Sequence, residues 1–320
     1  MSVADSTLDL LRTRFPDVEF VGADDAETLA REAVDADVFY GWRFPRELVP
    51  RAPRLRWIQS ASAGVEDNLS PEVRARGIVL TNGAGIAAVG IAEHVVGQML
   101  YFCRNHHVAA RLQQEGRWDR PRVIGGDGVP IRDFAGSRVA VLGLGPIGVA
   151  VTERSAALGA VVRGMRRRAP AAAAAPYEAV VGPDQLDSLL GWADFVVVAL
   201  PHTPETTGLL GARQLARMRS DAYVVNVARG AVFDEGALIG ALEGRAIAGA
   251  ALDVFQVEPL PESSRLWHLP NVLVTPHVAG ATPRYLERAL ALFVDNMERF
   301  LRGDRLRNVV DHTLGYPSGS

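Results

Sequence analysis

The 320-residue sequence contains no lysine, so all 34 of its basic side chains are arginines. A chain without lysine cannot form a Schiff base, anchor pyridoxal phosphate, hold nucleotide phosphates with a P-loop lysine, or use a Tyr-x-x-x-Lys catalytic pair. Cysteine is nearly absent as well, because Cys103 stands alone. This count excludes an intrachain disulfide and a zinc site built from several cysteines, and we expect no metal site.

The sequence also lacks a dominant charge and a long apolar segment. Its formal net charge is -3 and its pI is about 6.2, so bulk charge does not favour binding to nucleic acid or to an anionic membrane. No stretch reaches the ~20 apolar residues that a membrane-spanning helix needs, and the segment MSVADSTLDL has no basic region followed by an apolar one. We therefore expect a cytoplasmic protein with neither a nucleic acid nor a membrane as partner.

Short apolar segments alternate with helical ones along the chain, a pattern typical of an α/β fold with parallel sheets. At ~150 residues per domain, the length predicts two domains. Strands are predicted at 18–22, 37–41, 55–60, 77–82, 194–200, 222–228, 247–254 and 271–277. A β-turn-α-β unit is predicted at 137–168, and helices are predicted at 27–34, 89–115, 211–218, 235–244 and 282–303.

A glycine pattern opens the β-turn-α-β unit. Gly143, Gly145 and Gly148 form G-x-G-x-x-G directly after the apolar run VAVL and directly before a helical segment. Glycines at these positions allow a tight turn and let the backbone approach a pyrophosphate, while the helix N-terminus supplies free N–H groups. The pattern predicts a dinucleotide site, and the alternative is a glycine-rich turn that binds nothing.

The segment after the second strand of this unit lacks the acid that an NAD site usually has. Such an acid lies about 20 residues beyond the glycines and accepts hydrogen bonds from the ribose 2′-hydroxyl, but no acid lies between Arg154 and Ala175. Arg166, Arg167 and Arg168 are there instead, and guanidinium groups can bind a 2′-phosphate. The segment therefore favours NADP(H) and leaves NAD(H) possible, with a solvated basic turn as the alternative.

Three further polar residues lie at or beyond the ends of predicted strands. Arg229 and His277 stand at two strand ends, and Glu258 lies a few residues beyond Asp253 at a third. In a parallel sheet these ends face the ligand crevice. A guanidinium can bind a carboxylate and polarise a carbonyl, and a carboxylate beside an imidazole can orient it as a general acid. The alternative for each residue is a surface ion pair.

Seven motifs in order along the chain resemble the signature blocks of the D-isomer-specific 2-hydroxyacid dehydrogenase family: IQSASAGVEDN, AVGIAEHVVGQMLYFCRN, GLGPIG, LPHTPETTGLLG, NVARGAVFDEGAL, ALDVFQVEPLP and TPHVAGAT. Many members carry an acid where this chain has Arg166–Arg168, and there it is more similar to NADPH-dependent glyoxylate/hydroxypyruvate reductases. The resemblance implies two Rossmann-like parallel-sheet domains with the active-site cleft between them, usually in a homodimer. We expect a flavodoxin-like substrate domain at 1–104 and 283–320 and a dinucleotide-binding domain at 105–282.

The resemblance also implies a role for each matching residue. Arg229 would bind the carboxylate and carbonyl of a 2-oxo acid, His277 would be the general acid/base, and Glu258 would hydrogen-bond His277. Backbone N–H groups of Ala63 and Gly64 would hold the substrate carboxylate. The full set of expected cofactor contacts is Gly143, Gly145, Pro146, Ile147, Gly148, Arg166, Arg167, Leu200, Pro201, Thr206, Val227, Ala228, Arg229, Asp253, His277, Ala279 and Gly280.

The combined hypothesis is an NADP(H)-preferring enzyme that reduces a small 2-oxo acid, such as glyoxylate or hydroxypyruvate, to a D-2-hydroxy acid. Formate, phosphite and phosphoglycerate are alternative substrates, and Arg43 is the one obvious extra cation for a phosphorylated substrate. A dinucleotide-sensing binding protein or corepressor without turnover is an alternative of another class, which the set of Arg229, Glu258 and His277 disfavours. The candidate residues for the substrate pocket are Tyr40, Trp42, Tyr101 and Trp267.

Overall fold

A computed structural model describes residues 5–170 and 172–317 of the chain. The helices are α1 (Asp5–Arg14), α2 (Ala26–Glu32), α3 (Pro71–Ala75), α4 (Ala88–Cys103), α5 (His106–Gln114), α6 (Arg120–Gly125), α7 (Pro146–Ala157), α8 (Leu186–Trp192), α9 (Ala212–Leu215), α10 (Glu235–Glu243) and α11 (Tyr285–Arg302). The strands are β1 (Val38–Gly41), β2 (Trp57–Ser60), β3 (Val79–Thr81), β4 (Arg138–Leu142), β5 (Val161–Met165), β6 (Ala179–Val181), β7 (Phe195–Val198), β8 (Tyr223–Asn226), β9 (Gly249–Leu252) and β10 (Val272–Val274). None of the helices in the described ranges is both long and apolar enough to cross a membrane.

The chain divides into two compact units. The first unit comprises Met1–Ile86 and Pro283–Ser320, and the second unit comprises Ala87–Thr282. The predicted first boundary, after residue 104, differs from this division. Residues 87–104 belong to the second unit because α4 packs side chains such as Met99 into the hydrophobic core of that unit.

The first unit contains a three-stranded parallel sheet in the order β1-β2-β3. Its middle strand, β2, is buried along its whole length, as expected for a strand that is covered on both faces. The segment after α11 lies along the other edge of β3, where the Val310 N–H donates to the Leu80 carbonyl at 2.8 Å. The C-terminal part of the described chain therefore completes the unit that the N-terminal part begins.

Helix α11 closes the core of the first unit through an amphipathic sequence. Phe293 and Met297 lie about one turn apart and are buried, and the Phe293 ring centre is 5.7 Å from that of Trp57. Asn296, which is fully buried beside them, donates to the Gln59 side chain at 2.9 Å. Because a buried amide must keep its partners, this contact fixes how α11 lies on the sheet.

The second unit contains a seven-stranded parallel sheet in the order β10-β9-β8-β7-β4-β5-β6. The order runs outward from β4 in both directions, so the topological switch point lies between β4 and β7. Alternate residues of β4 enter two separate cores: Val139 and Val141 pack in the cluster that contains Met99 of α4, whereas Ala140 and Leu142 pack with residues of α8 and α10. The two parallel sheets confirm the predicted α/β fold class.

Several elements differ from the prediction, and the helices α1, α3, α6 and α8 are not predicted. Residues 18–22 form no strand, and a carbonyl of this segment accepts a hydrogen bond from the Arg12 side chain at 3.0 Å. The helix predicted over 89–115 is interrupted at Asn105, whose φ of 49° is left-handed. Its buried side chain donates to the carbonyls of Val123 in α6 and of Val129 in the loop after α6. Strand β6, at the edge of the seven-stranded sheet, is not predicted either.

Candidate active site

The glycine-rich turn joins β4 to α7 at the switch point of the second sheet. Gly143 has a φ of 97°, and a Cβ added there would meet the Ala199 carbonyl oxygen at 2.5 Å. A Cβ added at Gly148 would meet the Gly143 carbonyl oxygen at 1.9 Å. The packing of the protein itself therefore requires these two glycines.

Gly145, in contrast, is not required by the packing of the protein. Its φ of -74° is open to any residue, and a Cβ added there meets nothing within 4 Å. Gly145 caps the N-terminus of α7, which makes no side-chain capping hydrogen bond and has Pro146 in its first turn. The first N–H groups of α7 have no side-chain acceptor, and an external anion can bind there. The predicted contacts Gly145, Pro146, Ile147 and Gly148 fit a dinucleotide pyrophosphate.

The arginine segment follows the end of β5 directly. Arg166 and Arg167 are exposed, and the backbone N–H of Arg166 donates to the last residue of β6 at 3.1 Å. Arg163, inside β5, is engaged elsewhere, because its guanidinium pairs with Glu178 at 2.6 Å and lies over the Trp192 ring. The two predicted arginines therefore stand where the adenosine ribose of a bound dinucleotide is expected.

Glu205 is an acid near Arg167 that no motif of the sequence indicates. A hydrogen bond from Thr203 lowers the pKa of the Glu205 carboxyl, and the charge of Arg167 contributes to the same shift. The carboxylate therefore competes with a phosphate for Arg167. Its neighbour Thr206, a predicted cofactor contact, donates to the carbonyl of Pro201, another predicted contact, at 2.7 Å.

The ends of β8, β9 and β10 carry the three predicted catalytic residues. These strands are neighbours in the sheet, with Arg229 after β8, Glu258 after β9 and His277 after β10. Backbone hydrogen bonds join the ends sideways: the Asp253 N–H donates to the Asn226 carbonyl at 3.0 Å, and the His277 N–H donates to the Asp253 carbonyl at 2.9 Å. The structure therefore brings the three positions to one edge of the sheet.

Glu258 and His277 are in direct contact. Glu258 Oε2 lies 2.6 Å from His277 Nδ1, and Glu258 Oε1 accepts from the Phe255 N–H at 3.0 Å. A carboxylate can only accept, so His277 Nδ1 carries the proton in this contact and Nε2 is the nitrogen that can face a substrate. The His277 side chain is 51% exposed, which leaves the ring accessible to a ligand.

Asp253 fixes the turn that carries His277. Its buried carboxylate accepts from the N–H groups of Val278 at 3.0 Å and Ala279 at 2.9 Å, and the Thr275 hydroxyl donates to it at 2.5 Å. His277 keeps a φ of 52° in this turn, which is rare for a residue other than glycine. The structure thus places Asp253, predicted as a cofactor contact, where its carboxylate organises the backbone beside the candidate general acid.

Arg229 lies in an extended, partly buried segment after β8. Its guanidinium donates to the Ala228 carbonyl at 2.8 Å, and the Asn226 amide bonds to the backbone of both Ala228 and Arg229 at 3.1 Å. A Cβ added at Gly230 would meet the Phe255 carbonyl carbon at 1.9 Å. The Arg229 turn therefore packs directly on the segment that follows β9.

The predicted substrate loop of the first unit is held by side chains of the same unit. Asn82 Nδ2 donates to the Ala63 carbonyl at 2.6 Å, and Ser62 Oγ donates to the Gly64 carbonyl at 2.6 Å. These hydrogen bonds orient the peptide groups around the two positions whose N–H groups are predicted to bind a carboxylate.

The four candidate pocket residues differ in exposure. Trp42 and Trp267 are exposed, as a ligand contact requires. Tyr40 instead stacks on an α11 phenylalanine in the core of the first unit, and burial raises its pKa to about 12. Tyr101 packs against the cluster that contains α4 in the second unit. Both tyrosines thus fill the hydrophobic cores of their own units, whereas each tryptophan keeps exposed surface.

The remaining predicted cofactor contacts also follow strand ends of the second sheet. Leu200 and Pro201 follow β7, Val227 and Ala228 follow β8, and Gly280 follows β10. Carboxyl ends of parallel strands lie along one edge, so these residues share the edge of the glycine-rich turn. Within the described ranges, no group of three or more His, Cys, Asp or Glu side chains is arranged to hold a metal ion.

Helix α4 contributes a residue to this edge that the sequence analysis misses. His94 Nε2 lies 3.4 Å from Thr275 Oγ1 and 3.9 Å from Asp253 Oδ1. Only the fold brings α4 beside the end of β10, so the local sequence around His94 carries no signal of this contact.

Known proteins resemble this chain in sequence and in fold. The family described as D-isomer specific 2-hydroxyacid dehydrogenase, NAD binding domain, matches residues 96–279. A D-3-phosphoglycerate dehydrogenase of Methanocaldococcus jannaschii is 34% identical over 289 residues, which cover 89% of this chain and 53% of that protein, so the chain spans about half the length of this relative. A glyoxylate reductase of Thermofilum pendens is 34% identical over 263 residues, which cover 81% of this chain and 75% of that protein. The structure of an NADPH-dependent glyoxylate/hydroxypyruvate reductase from Sinorhizobium meliloti, in complex with NADP and sulfate, superposes with a TM-score of 0.83 and 28% identity, covering 98% of this chain and 97% of that one.

Proposed function

The chain belongs to the D-isomer specific 2-hydroxyacid dehydrogenase family, a family of oxidoreductases. From this premise we propose that it is an NADPH-preferring reductase of small 2-oxo acids such as glyoxylate or hydroxypyruvate. The product is the D-2-hydroxy acid. The observation that carries the proposal is the 2.6 Å contact between Glu258 and His277, on the sheet edge that also holds the glycine-rich turn.

In the proposed reaction the substrate carbonyl gains one C–H bond and one O–H bond. A reduced nicotinamide dinucleotide, when bound, supplies the hydride. His277 Nε2 donates the proton to the carbonyl oxygen, while Glu258 holds the ring through Nδ1. The exposed imidazole then regains a proton from solvent.

Arg229 binds the substrate in this proposal. Its guanidinium pairs with the carboxylate and stabilises the negative charge that grows on the neighbouring carbonyl oxygen. For Ala63 and Gly64 of the first unit, the proposed role is donation of their N–H groups to a substrate carboxylate. The hydrogen bonds that hold the carbonyls of these two loop residues support this role, because a loop that is already ordered loses less freedom when it binds.

The preference for NADPH rests on the segment after β5. Arg166 and Arg167 are exposed there and the segment contains no acid, so a 2′-phosphate meets two cations, with Glu205 as a competitor for Arg167. NAD(H) use at lower efficiency is compatible with the same site. The solved relative from Sinorhizobium meliloti is an NADPH-dependent enzyme in complex with NADP, which supports the same choice of cofactor for this chain.

A homodimer is the proposed assembly. Trp118 is 95% exposed and Ile124 is 44% exposed, and both belong to the segment that follows α5. Large apolar side chains with this exposure often lie in contacts between protein chains. Sedimentation velocity of wild type and of the double variant Trp118→Ser, Ile124→Ser tests this assembly, since a dimer that uses these residues dissociates in the variant.

The decisive experiment is a turnover panel. Purified protein is assayed with glyoxylate, hydroxypyruvate, pyruvate, phenylpyruvate and a phosphorylated 2-oxo acid, with NADPH and with NADH, at the nicotinamide absorbance. We expect the highest kcat/KM for glyoxylate or hydroxypyruvate with NADPH. A higher value for the phosphorylated acid contradicts the proposed substrate class. Dinucleotide binding without turnover on any acid contradicts the proposed activity and favours a dinucleotide-sensing role.

A further inference from the structure

The turn from Thr275 to Ala279 holds His277 in a conformation that needs support. A residue with a Cβ rarely adopts a φ of 52°, and it keeps this conformation only where the surroundings determine it. The support comes from Asp253, whose carboxylate accepts from the Val278 and Ala279 N–H groups and from the Thr275 hydroxyl. Any group that holds this buried carboxylate in place therefore also holds His277.

Helix α4 brings a side chain to this carboxylate. His94 Nε2 lies 3.9 Å from Asp253 Oδ1 and 3.4 Å from Thr275 Oγ1, and the His94 side chain is largely buried. The amide of Gln98, one turn further along α4, lies 2.7 Å from the same nitrogen and is itself buried. The imidazole therefore fills the space between the helix and the turn, with Gln98 on one side and the pair of Thr275 and Asp253 on the other.

Three other groups in the described part of the chain hydrogen-bond to the Asp253 carboxylate from the end of β10. They are two backbone N–H groups and the Thr275 hydroxyl, and each of them belongs to the turn that the carboxylate organises. His94 differs because it belongs to a long helix of the core, in which Val95 and Met99 are fully buried. His94 thus adds a contact from a helix of the core to a turn that is otherwise held by its own groups and by the segment at and after the end of β9.

From this geometry we infer that His94 is a positioning residue for His277 and that it acts through Thr275 and Asp253. The inference deepens the proposed function and rests on it for its kinetic consequence, which is the efficiency of proton donation by His277. Without the imidazole, the carboxylate and the hydroxyl face an unfilled space on the α4 side, and the turn gains freedom to move. The substrate-binding Arg229 follows a different strand, so substrate binding depends less on His94 than proton donation does.

The test compares three variants of the full chain. His94→Ala removes the ring, His94→Gln keeps a group that can hydrogen-bond to Thr275, and Glu93→Ala changes the exposed neighbour on the same helix as a matched control. Hydrogen–deuterium exchange of peptides that cover 275–281 reports the stability of the turn without any need for activity. Steady-state kinetics with NADPH and the preferred 2-oxo acid report the consequence for proton donation.

For His94→Ala we expect exchange at 278 and 279 to be at least about tenfold faster than in wild type, with little change elsewhere in the second unit. In the same variant kcat falls about tenfold, while the KM for the 2-oxo acid stays within about twofold. His94→Gln restores most of the slow exchange at 278 and 279 and most of kcat. Glu93→Ala behaves as wild type in both measurements.

Unchanged exchange over 275–281 in His94→Ala overturns the inference, whatever the activity of the protein. Faster exchange that spreads evenly through the second unit also overturns it, because His94 is then an ordinary core residue. A wild-type protein that reduces no 2-oxo acid in the turnover panel defeats the proposed function instead, and the exchange comparison still decides whether His94 holds the turn.

Discussion

Glu258 Oε2 contacts His277 Nδ1 at 2.6 Å, although the two residues are 19 positions apart in the chain. The contact exists because β9 and β10 are parallel neighbours, which brings the segments after their carboxyl ends together. The other oxygen of the Glu258 carboxylate accepts from the Phe255 N–H, so the acid is anchored on its own segment before it meets the imidazole. This arrangement gives the His277 ring one orientation and leaves Nε2 for a substrate.

The first prediction concerns the proton donor. His277→Asn removes the group that protonates the carbonyl oxygen, and we expect kcat to fall by at least ~10²-fold, a usual contribution of general acid catalysis. The dissociation constant for NADPH, measured by fluorescence titration, stays within a few-fold of wild type. His268→Asn, which changes an exposed histidine of the second unit, is the matched control. A His277→Asn variant that keeps most of its turnover removes His277 from the mechanism.

The second prediction concerns substrate binding. Arg229→Gln keeps some hydrogen-bonding capacity but removes the charge that pairs with the substrate carboxylate. We expect KM to rise and kcat to fall together, because the charge on the carbonyl oxygen grows further in the transition state. Arg213→Gln, at an exposed arginine of α9 that pairs with Asp187, is the control. Equal kcat/KM for wild type and Arg229→Gln contradicts the assignment.

Much of the second unit is predictable from the sequence, for a physical reason. Its strands are continuous apolar runs because both faces of the sheet are buried, and such runs end at polar or glycine residues such as Gly143 and Asp253. Residues just beyond parallel strands share an edge whatever the strand order. The contact between Glu258 and His277 is therefore within reach of sequence reasoning once the strands are identified.

The differences between the prediction and the structure also have physical causes. The helical period continues through Asn105, and only the tertiary hydrogen bonds of its side chain explain why the backbone turns left-handed there. Tyr40 and Trp42 flank the same strand end and both stack on aromatic residues of α11, and no sequence pattern tells which of them stays exposed. The contact of His94 with Thr275 joins residues 181 positions apart, which local periodicity cannot reveal.

The third prediction separates two roles of glycine in the turn after β4. Gly145→Ala places a methyl group in open space, so we expect the melting temperature to stay near that of wild type. The methyl group faces the predicted pyrophosphate position, and the dissociation constant for NADPH should rise at least about tenfold. Gly148→Ala would place its methyl group against the Gly143 carbonyl and should lower the melting temperature.

Thermal melts and dinucleotide titrations of both glycine variants decide this prediction. A Gly145→Ala variant that binds NADPH as tightly as wild type shows that no dinucleotide approaches this position. Gly240→Ala is a suitable control, because a Cβ there also meets nothing within 4 Å and the position lies within helix α10, away from the glycine-rich turn.

The fourth prediction is a pH dependence of stability. Burial of Asp194 raises its pKa, but hydrogen bonds from the side chain and backbone of Arg138, at 2.7 and 2.8 Å, outweigh burial and hold the pKa below its ordinary value. A folded-state pKa below the unfolded one gives a contribution to stability that is present above the unfolded pKa of about 3.9. This contribution is lost as the pH falls through the folded-state pKa.

We therefore expect Asp194→Asn to lower the free energy of unfolding by about 1–3 kcal/mol at pH 7, since it leaves the Arg138 guanidinium without its charged partner. The difference from wild type should shrink as the pH falls from the unfolded pKa of about 3.9 through the lower folded-state pKa, where folded wild-type Asp194 also becomes protonated. Urea unfolding at pH 7, 5 and 3 measures both effects. Asp187→Asn, at a carboxylate that pairs with exposed arginines, should cost about 0.5 kcal/mol or less. A difference for Asp194→Asn that does not change with pH contradicts the prediction.

The last prediction is the choice of cofactor. At pH 7 a 2′-phosphate adds nearly two negative charges beside Arg166 and Arg167, and each charge-assisted hydrogen bond is worth about 1.5–3 kcal/mol before losses. Exposure of both side chains and competition from Glu205 for Arg167 reduce this gain, so we expect wild type to prefer NADPH by about 10- to 100-fold in kcat/KM. The double variant Arg166→Asp, Arg167→Ala should reverse the preference mainly through the KM for the dinucleotide, because an acid at the strand end accepts from the 2′-hydroxyl of NADH and repels the phosphate.

A second double variant, Arg213→Asp with Arg217→Ala, makes the same change in net charge on an exposed helix end and should leave the preference unchanged. The measurement is kcat/KM for both dinucleotides at one fixed salt concentration. A wild-type enzyme that prefers NADH shows that the arginines form a solvated turn, and it refutes the cofactor assignment without touching the roles proposed for Arg229 and His277.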